Sequence, residues 1–261
     1  MKDILKENER IDDLEFKNLK IIQNSDGFCF GIDSVLLSDF AKKIKKGAKV
    51  IDLGTGSGII SILLCGKTEA REIIGVEVQK EVYDMATRSA KLNKLENRFK
   101  IINKNIKDLK NVFKPNSFDV VVTNPPYKKS NTGLKNEIEK KYISRHEVKA
   151  NLEDFIDMTK YLLKDKGEFY MVHRPDRLVD ILYLMRKHKI EPKQIKFVCP
   201  NVEKSPNLVL IKGIKNGGQF LKVEKNLYVY NEDGTYTDEI LKIYNKEIKK
   251  WKEIYMLLQH Q

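Results

Sequence analysis

Two stretches of this chain carry residue types that could do chemistry. In VVTNPPY (121–127) a β-branched run ends on Asn124, Pro125, Pro126 and Tyr127. Proline has no N–H, so a strand ladder stops there, and the stiff turn holds one amide and one aromatic ring at the strand's carboxyl end. Asn-Pro and Pro-Pro can also be plain punctuation. What favours a site is position, because open α/β sheets bind ligands at the carboxyl ends of their strands.

The second stretch is IDLGTGSG (51–58), in which Gly54, Thr55, Gly56 and Gly58 follow a strand. Glycine lets the backbone turn sharply and approach a ligand, and the next helix offers free N–H groups. The spacing is G-x-G-x-G, not the G-x-G-x-x-G of a dinucleotide site. Glu77, followed by Val78, ends the next strand about twenty residues on, where a carboxylate accepts hydrogen bonds from ribose hydroxyls. Asp52, in the loop's own strand, would repel a pyrophosphate. A nucleoside with a neutral or cationic remainder is expected, and S-adenosyl-L-methionine, whose sulfonium is positive, fits best.

Elements must position these residues. Val120, Val121 and Val122 read as a strand buried on both faces. Around them strands alternate with helical patterns: strands over 49–54, 72–78, 99–104 and 118–123, helices over 59–66, 80–93 and 106–113. That alternation implies βαβ units and a mostly parallel sheet, α/β in class, with helices on both faces. Upstream, LKIIQN (19–24) reads as a short strand. FGIDSVLLSDFAKKIKKG (30–47) reads as a helix that Asp33 or Ser34 caps and Gly47 ends. Downstream come a helix over 152–164, a strand over 167–174 and a helix over 177–188. The extended runs 194–200 and 206–215 have no helix between them and should form an antiparallel hairpin at the sheet edge. An amphipathic helix over 239–258 closes the chain, with Ile240, Tyr244, Ile248 and Trp251 on its packed side.

Composition sets the class of partner. Lys and Arg number 49 against 37 Asp and Glu, a net charge of +12, which suits a polyanion such as nucleic acid or an anionic membrane face. The three cysteines and four histidines make no ligand-spaced cluster, so neither disulfide nor metal is expected. A charged N-terminus and the lack of a long apolar run point to a cytoplasmic protein.

Taken together, IDLGTGSG, GVEV and TNPPY resemble the Rossmann-like class I methyltransferases that modify amino groups. In that superfamily NPPY marks transfer to a nitrogen whose lone pair is delocalised. The chemistry of the residues agrees. The Asn124 side-chain carbonyl and the Pro125 main-chain carbonyl are acceptors that could hold both N–H groups, pulling the nitrogen towards a tetrahedral shape with its lone pair aimed at the methyl. Tyr127 can stack on the planar substrate.

Four more stretches, ERIDDL (9–14), SDGFCFGIDSVLLSDFA (25–41), SRHE (144–147) and VHRPDRL (172–178), are similar to the bacterial tRNA1(Val) (adenine-37-N6)-methyltransferase family. The resemblance covers nearly the whole chain. It implies one methyltransferase domain over 1–261: an N-terminal extension and helix (1–46) covering the cofactor site, a catalytic core (47–215) and a C-terminal extension (216–261). It also implies transfer to an adenosine in tRNA by a monomer, with S-adenosyl-L-homocysteine as product. Phe30 and Asp33 would line the methionine side of the cofactor pocket. Relatives often end the third strand in an Asp that holds the cofactor's adenine; here Asn105, followed by Ile106, or Asp108 would serve. Lys128, Lys129, Arg145, His146 and Arg174 are expected nearest the RNA. Rival readings are a glutamine-N5 methyltransferase acting on a release factor, a DNA adenine methyltransferase and an idle RNA-binding relative. The short lead-in argues against the first, the lack of a target-recognition block against the second, and the intact site residues against the third.

Overall fold

The structure, a computed structural model, describes residues 4–25, 31–127 and 150–246. Its main sheet runs β5 (Phe99–Asn103), β4 (Glu72–Glu77), β3 (Lys49–Leu53), β6 (Phe118–Thr123), β7 (Leu163–His173), β9 (Leu208–Lys215) and β8 (Ile190–Cys199) in spatial order. Strands β5, β4, β3, β6 and β7 pair in parallel, and β9 is antiparallel to both β7 and β8. The hairpin lies where the sequence predicts it. Two-residue strands β10 (Lys222–Val223) and β11 (Leu227–Tyr228) extend the β8 edge.

Period-2 geometry explains the valine run. Val120 and Val122 enter the core on one face with Val50, while Val121 enters the core on the other with Ile51 and Leu53. Burying each valine contributes roughly 1.5–3 kcal/mol relative to exposure. Helices α1 (Ile32–Phe40) and α2 (Ile59–Lys67) fill the first face, and α4 (Leu152–Leu162) and α5 (Leu178–Lys187) the second. Helix α4 starts on a capping box: Asp154 N–H donates to Asn151 Oδ1 at 3.0 Å and Asn151 N–H to Asp154 Oδ2 at 2.8 Å.

Several expectations need correction. Helix α1 stops at Phe40, not Gly47, because the lysine-rich stretch after Ala41 keeps only Ile44 buried. Neither Asp33 nor Ser34 caps it; Gly31 occupies the cap position and makes no side-chain bond. The helix expected over 106–113 is a 3₁₀ segment, Ile106–Asn111, capped by Asn105, whose side chain accepts from Lys107 N–H at 3.0 Å. Strand β7 begins at Leu163, taking the last two residues expected of the preceding helix. Strand β2 (Lys20–Asn24) pairs with an unexpected β1 (Glu9–Asp13). Both dock on α3 (Lys80–Leu92), where Arg88 meets Glu9 at 2.6 Å and Ile22 N–H donates to Ser89 Oγ at 2.9 Å. Of the closing helix, α6 (Asp238–Ile243) is seen; Ile248, Trp251 and the rest lie outside the described residues.

Among the described residues no helix is long and apolar enough to cross a membrane, and no group of His, Cys, Asp and Glu is arranged to hold a metal.

Candidate active site

Strand β3 lies between β4 and β6, and the chain winds away on either side, so the crevice of an open α/β sheet falls at their carboxyl ends. The glycine loop lines it. Gly54 (φ 73°) and Gly56 (φ 58°) adopt left-handed conformations, which puts backbone N–H groups where side chains would obstruct them. Gly56 N–H donates to Glu77 Oε2 at 3.1 Å, and Gln79 N–H to Oε1 at 2.8 Å. Glu77 is thereby held against the loop with lone pairs left on both oxygens. Burial pushes its carboxyl upward, and the backbone donors oppose that shift.

The cleft beside it is walled by Gly54, Glu77, Val78, Asn105 and Ile106, all expected at the cofactor site, together with Val76, Lys104, Pro126, Ala150 and Phe155. Asn105 stands in the wall and Asp108 does not. Asp52, Thr55 and Gly58 are not in that wall. Asp52 is fully buried, and its Oδ2 accepts from Thr55 Oγ1 at 2.7 Å and Ser61 Oγ at 2.8 Å, while Oδ1 has no partner among the described residues. Burial raises this carboxyl to about 6, against the two hydroxyls that lower it. Gly58 caps α2 at φ 91°, and a Cβ there would come 3.0 Å from the Phe99 ring, so close packing also requires glycine.

The proline turn sits at the next strand end. Thr123 Oγ1 donates to Leu53 O at 2.7 Å, locking β6 to β3 just before the ladder ends. Asn124 Nδ2 donates to Asp33 Oδ2 at 3.0 Å and to Ser34 Oγ at 3.2 Å. The Tyr127 hydroxyl lies 2.6 Å from Asn124 Oδ1 and 3.2 Å from Asp33 Oδ2. Burial and the Asp33 charge hold this phenol well above its ordinary range, so it remains a donor. Its ring packs at 4.8 Å on His173, which burial pushes down to about 4. Arg174 N–H donates to His173 Nδ1 at 2.8 Å, so the neutral imidazole carries its proton on Nε2. The Arg174 guanidinium meets Asp176 at 3.4 Å and is half-exposed. Phe30, Lys128, Lys129, Arg145 and His146 lie outside the described residues.

The structure thus brings Asp33, Asn124 and Tyr127 together, and Pro126 joins their turn to the cofactor cleft. Six residues escape the sequence reading. Ser34 reads only as a cap, and Val76, Ala150 and Phe155 look like any apolar core residue. Lys104 looks like one more lysine, and nothing in VHRPDRL marks His173 as the ring under Tyr127.

A glycine loop facing an acid-ended neighbouring strand, at the reversal point of a largely parallel sheet with an antiparallel edge, defines a Rossmann-like class I methyltransferase fold. The lining suits S-adenosyl-L-methionine: Glu77 would offer lone pairs to ribose hydroxyls, and apolar Val78, Ile106 and Phe155 would flank a flat base. The methyltransferase small domain family model matches residues 19–188, and the chain belongs to that family. It is a methyltransferase that uses S-adenosyl-L-methionine.

Among curated proteins, a tRNA1(Val) (adenine(37)-N6)-methyltransferase of Pedobacter heparinus is 26% identical over 85% of this chain and 92% of its own length. One from Tolumonas auensis is 23% identical over 87% and 92%. Among solved structures, a predicted O-methyltransferase of Agrobacterium tumefaciens superposes with a TM-score of 0.66 at 17% identity, covering 82% of this chain and 95% of the other. The geranyl diphosphate C-methyltransferase of Streptomyces coelicolor, solved with S-adenosyl-L-homocysteine, gives 0.52 at 13% identity, covering 70% and 77%. These two likenesses concern the fold.

Proposed function

We propose that this chain methylates N6 of an adenosine in tRNA, at the position named for the curated relatives, adenosine 37 of tRNA1(Val). The observation that carries the reading is the orientation of Asn124. Its NH₂ is tied to Asp33 and Ser34, which leaves Oδ1 as the acceptor at the substrate end of the turn.

An exocyclic amine is a poor nucleophile because its lone pair belongs to the ring. Bound S-adenosyl-L-methionine supplies the electrophilic methyl; everything else falls to this chain. Asn124 Oδ1 and the Pro125 carbonyl accept the two N–H groups and bring the nitrogen's lone pair out of conjugation. The Tyr127 ring, supported from behind by His173, stacks on the base. Pro125 and Pro126 keep the cradle stiff. As the N–C bond forms and the S–C bond breaks, the nitrogen becomes cationic and acidic. It loses its proton to water, so no dedicated general base is needed. Loop position makes the adenosine accessible, since an unpaired base is splayed out at less cost than a duplex one.

The excess of 12 positive charges supports a polyanionic substrate. The same reading has the protein acting in the cytoplasm as a single-domain monomer, with Arg174 among its RNA contacts. Incubation with labelled cofactor and separate pools of tRNA, rRNA, DNA and release factor tests it. Label on N6 of a tRNA adenosine is expected. Label confined to the release factor would replace this reading with glutamine-N5 transfer, and label confined to DNA with a DNA methyltransferase.

A further inference from the structure

Asp33 divides its two oxygens between two tasks. Oδ1 accepts from Ser34 N–H at 2.8 Å, which ties the carboxylate to the first turn of α1. Oδ2 takes the Asn124 amide at 3.0 Å and stands 3.2 Å from the Tyr127 hydroxyl. A carboxylate only accepts, so the group of Asn124 that faces Asp33 must be its NH₂, and Oδ1 must point the other way. The phenol has one proton and two acceptors in reach, and the shorter contact, 2.6 Å, goes to Asn124 Oδ1.

We propose that Asp33 is a positioning residue for methyl transfer, setting which way the Asn124 amide faces and receiving the Tyr127 hydroxyl when a substrate amine takes its place. This rests on the proposed cradle at Asn124. The exchange needs no proton transfer. The substrate N–H replaces the phenol O–H at Oδ1, and the phenol turns its proton to Oδ2, an acceptor already alongside. Because that second bond is charge-assisted, the displaced hydroxyl is not left unpaired in a half-buried site. Gly31 makes room for the arrangement, since a Cβ there would lie 2.9 Å from Asp33 Oδ1.

The test combines a measurement without RNA and one with it. In protein carrying ¹⁵N-asparagine, Asp33→Asn should speed hydrogen exchange of the Asn124 side-chain amide by about tenfold or more, the effect of losing a charged hydrogen-bond partner. With RNA, its single-turnover rate should fall by about 100-fold at saturating S-adenosyl-L-methionine, where cofactor affinity no longer limits the rate. Gly31→Ala displaces the carboxylate without altering its chemistry and should move both readouts the same way by less, so the proposal stays testable if Asp33→Asn folds poorly. Unchanged Asn124 exchange in both variants would overturn it. So would a wild-type rate at saturating cofactor, which would make Asp33 a cofactor contact alone. If the wild type methylates no tRNA yet Asn124 exchange still responds to Asp33→Asn, the tRNA reading fails and the positioning role stands.

Discussion

The Tyr127 hydroxyl and Asn124 Oδ1 are bonded to each other at 2.6 Å, so the phenol takes one lone pair of the oxygen that the proposed cradle presents to an incoming amine. Ring and hydroxyl of one residue then act in opposite directions. In the proposed cradle the ring offers a stacking surface, and the hydroxyl competes with the substrate for that oxygen.

Substitutions at Tyr127 separate the two. Tyr127→Phe keeps the ring and frees Oδ1, so kcat/KM for tRNA should stay within about threefold of wild type or rise, as expected when a weak competing hydrogen bond is removed. Tyr127→Ala loses the stack and should cost about 10- to 100-fold. Steady-state kinetics on both variants decide the matter, and equal losses would make the hydroxyl essential.

Glu77 is predicted to hold the ribose of the cofactor. Glu77→Ala should weaken S-adenosyl-L-methionine binding by about 10- to 100-fold, the effect of losing charged hydrogen bonds. Calorimetric titration measures this directly. Wild-type affinity in the variant would remove Glu77 from the cofactor site.

Asp52 makes stability depend on pH in an unusual direction. Its folded value, about 6, lies above the ordinary 3.8, so between those values the unfolded chain has lost a proton that the folded one keeps. Stability contributed by this group is therefore highest below pH 4 and falls as pH rises through about 6. Asparagine can keep both hydroxyl donors on the one oxygen that receives them, Oδ2, without the charge. From pH 4 to 7 the wild type should lose roughly 1–3 kcal/mol relative to Asp52→Asn. Urea denaturation of the pair checks this, and a difference independent of pH would contradict it.

RNA binding should weaken with salt, with a log–log slope of about −0.7 for each single-strand phosphate contact. Fluorescence anisotropy of a labelled anticodon stem-loop reads that slope. A slope near zero would argue for a protein or small-molecule substrate.

Much of this site is legible in the residue order because its parts obey local rules. The valine strand, the glycines with positive φ and the prolines that end a ladder each act within a few positions. Glu77 is legible too, since βαβ geometry fixes where the second strand ends. What stays hidden depends on contacts between distant segments. ERIDD has one apolar residue and looks like loop, yet it forms β1 because β2 and Arg88 of α3 supply its partners. Asp33 looks like a helix cap, but its Oδ2 faces a residue 91 positions away. His173 looks like a strand end, and only the fold brings its ring under Tyr127. Helix α1 ends sooner than its pattern suggests because the lysine-rich tail continues the helical spacing without an apolar face to hold it.

The central claim, that the Asn124 carbonyl grips the amine during transfer, is tested most directly by Asn124→Ala. Its single-turnover methylation rate should be measured at saturating S-adenosyl-L-methionine and tRNA, with cofactor affinity determined alongside. The account predicts a rate lower by about 100-fold or more with cofactor affinity near that of wild type. A variant that transfers methyl groups at the wild-type rate would contradict it.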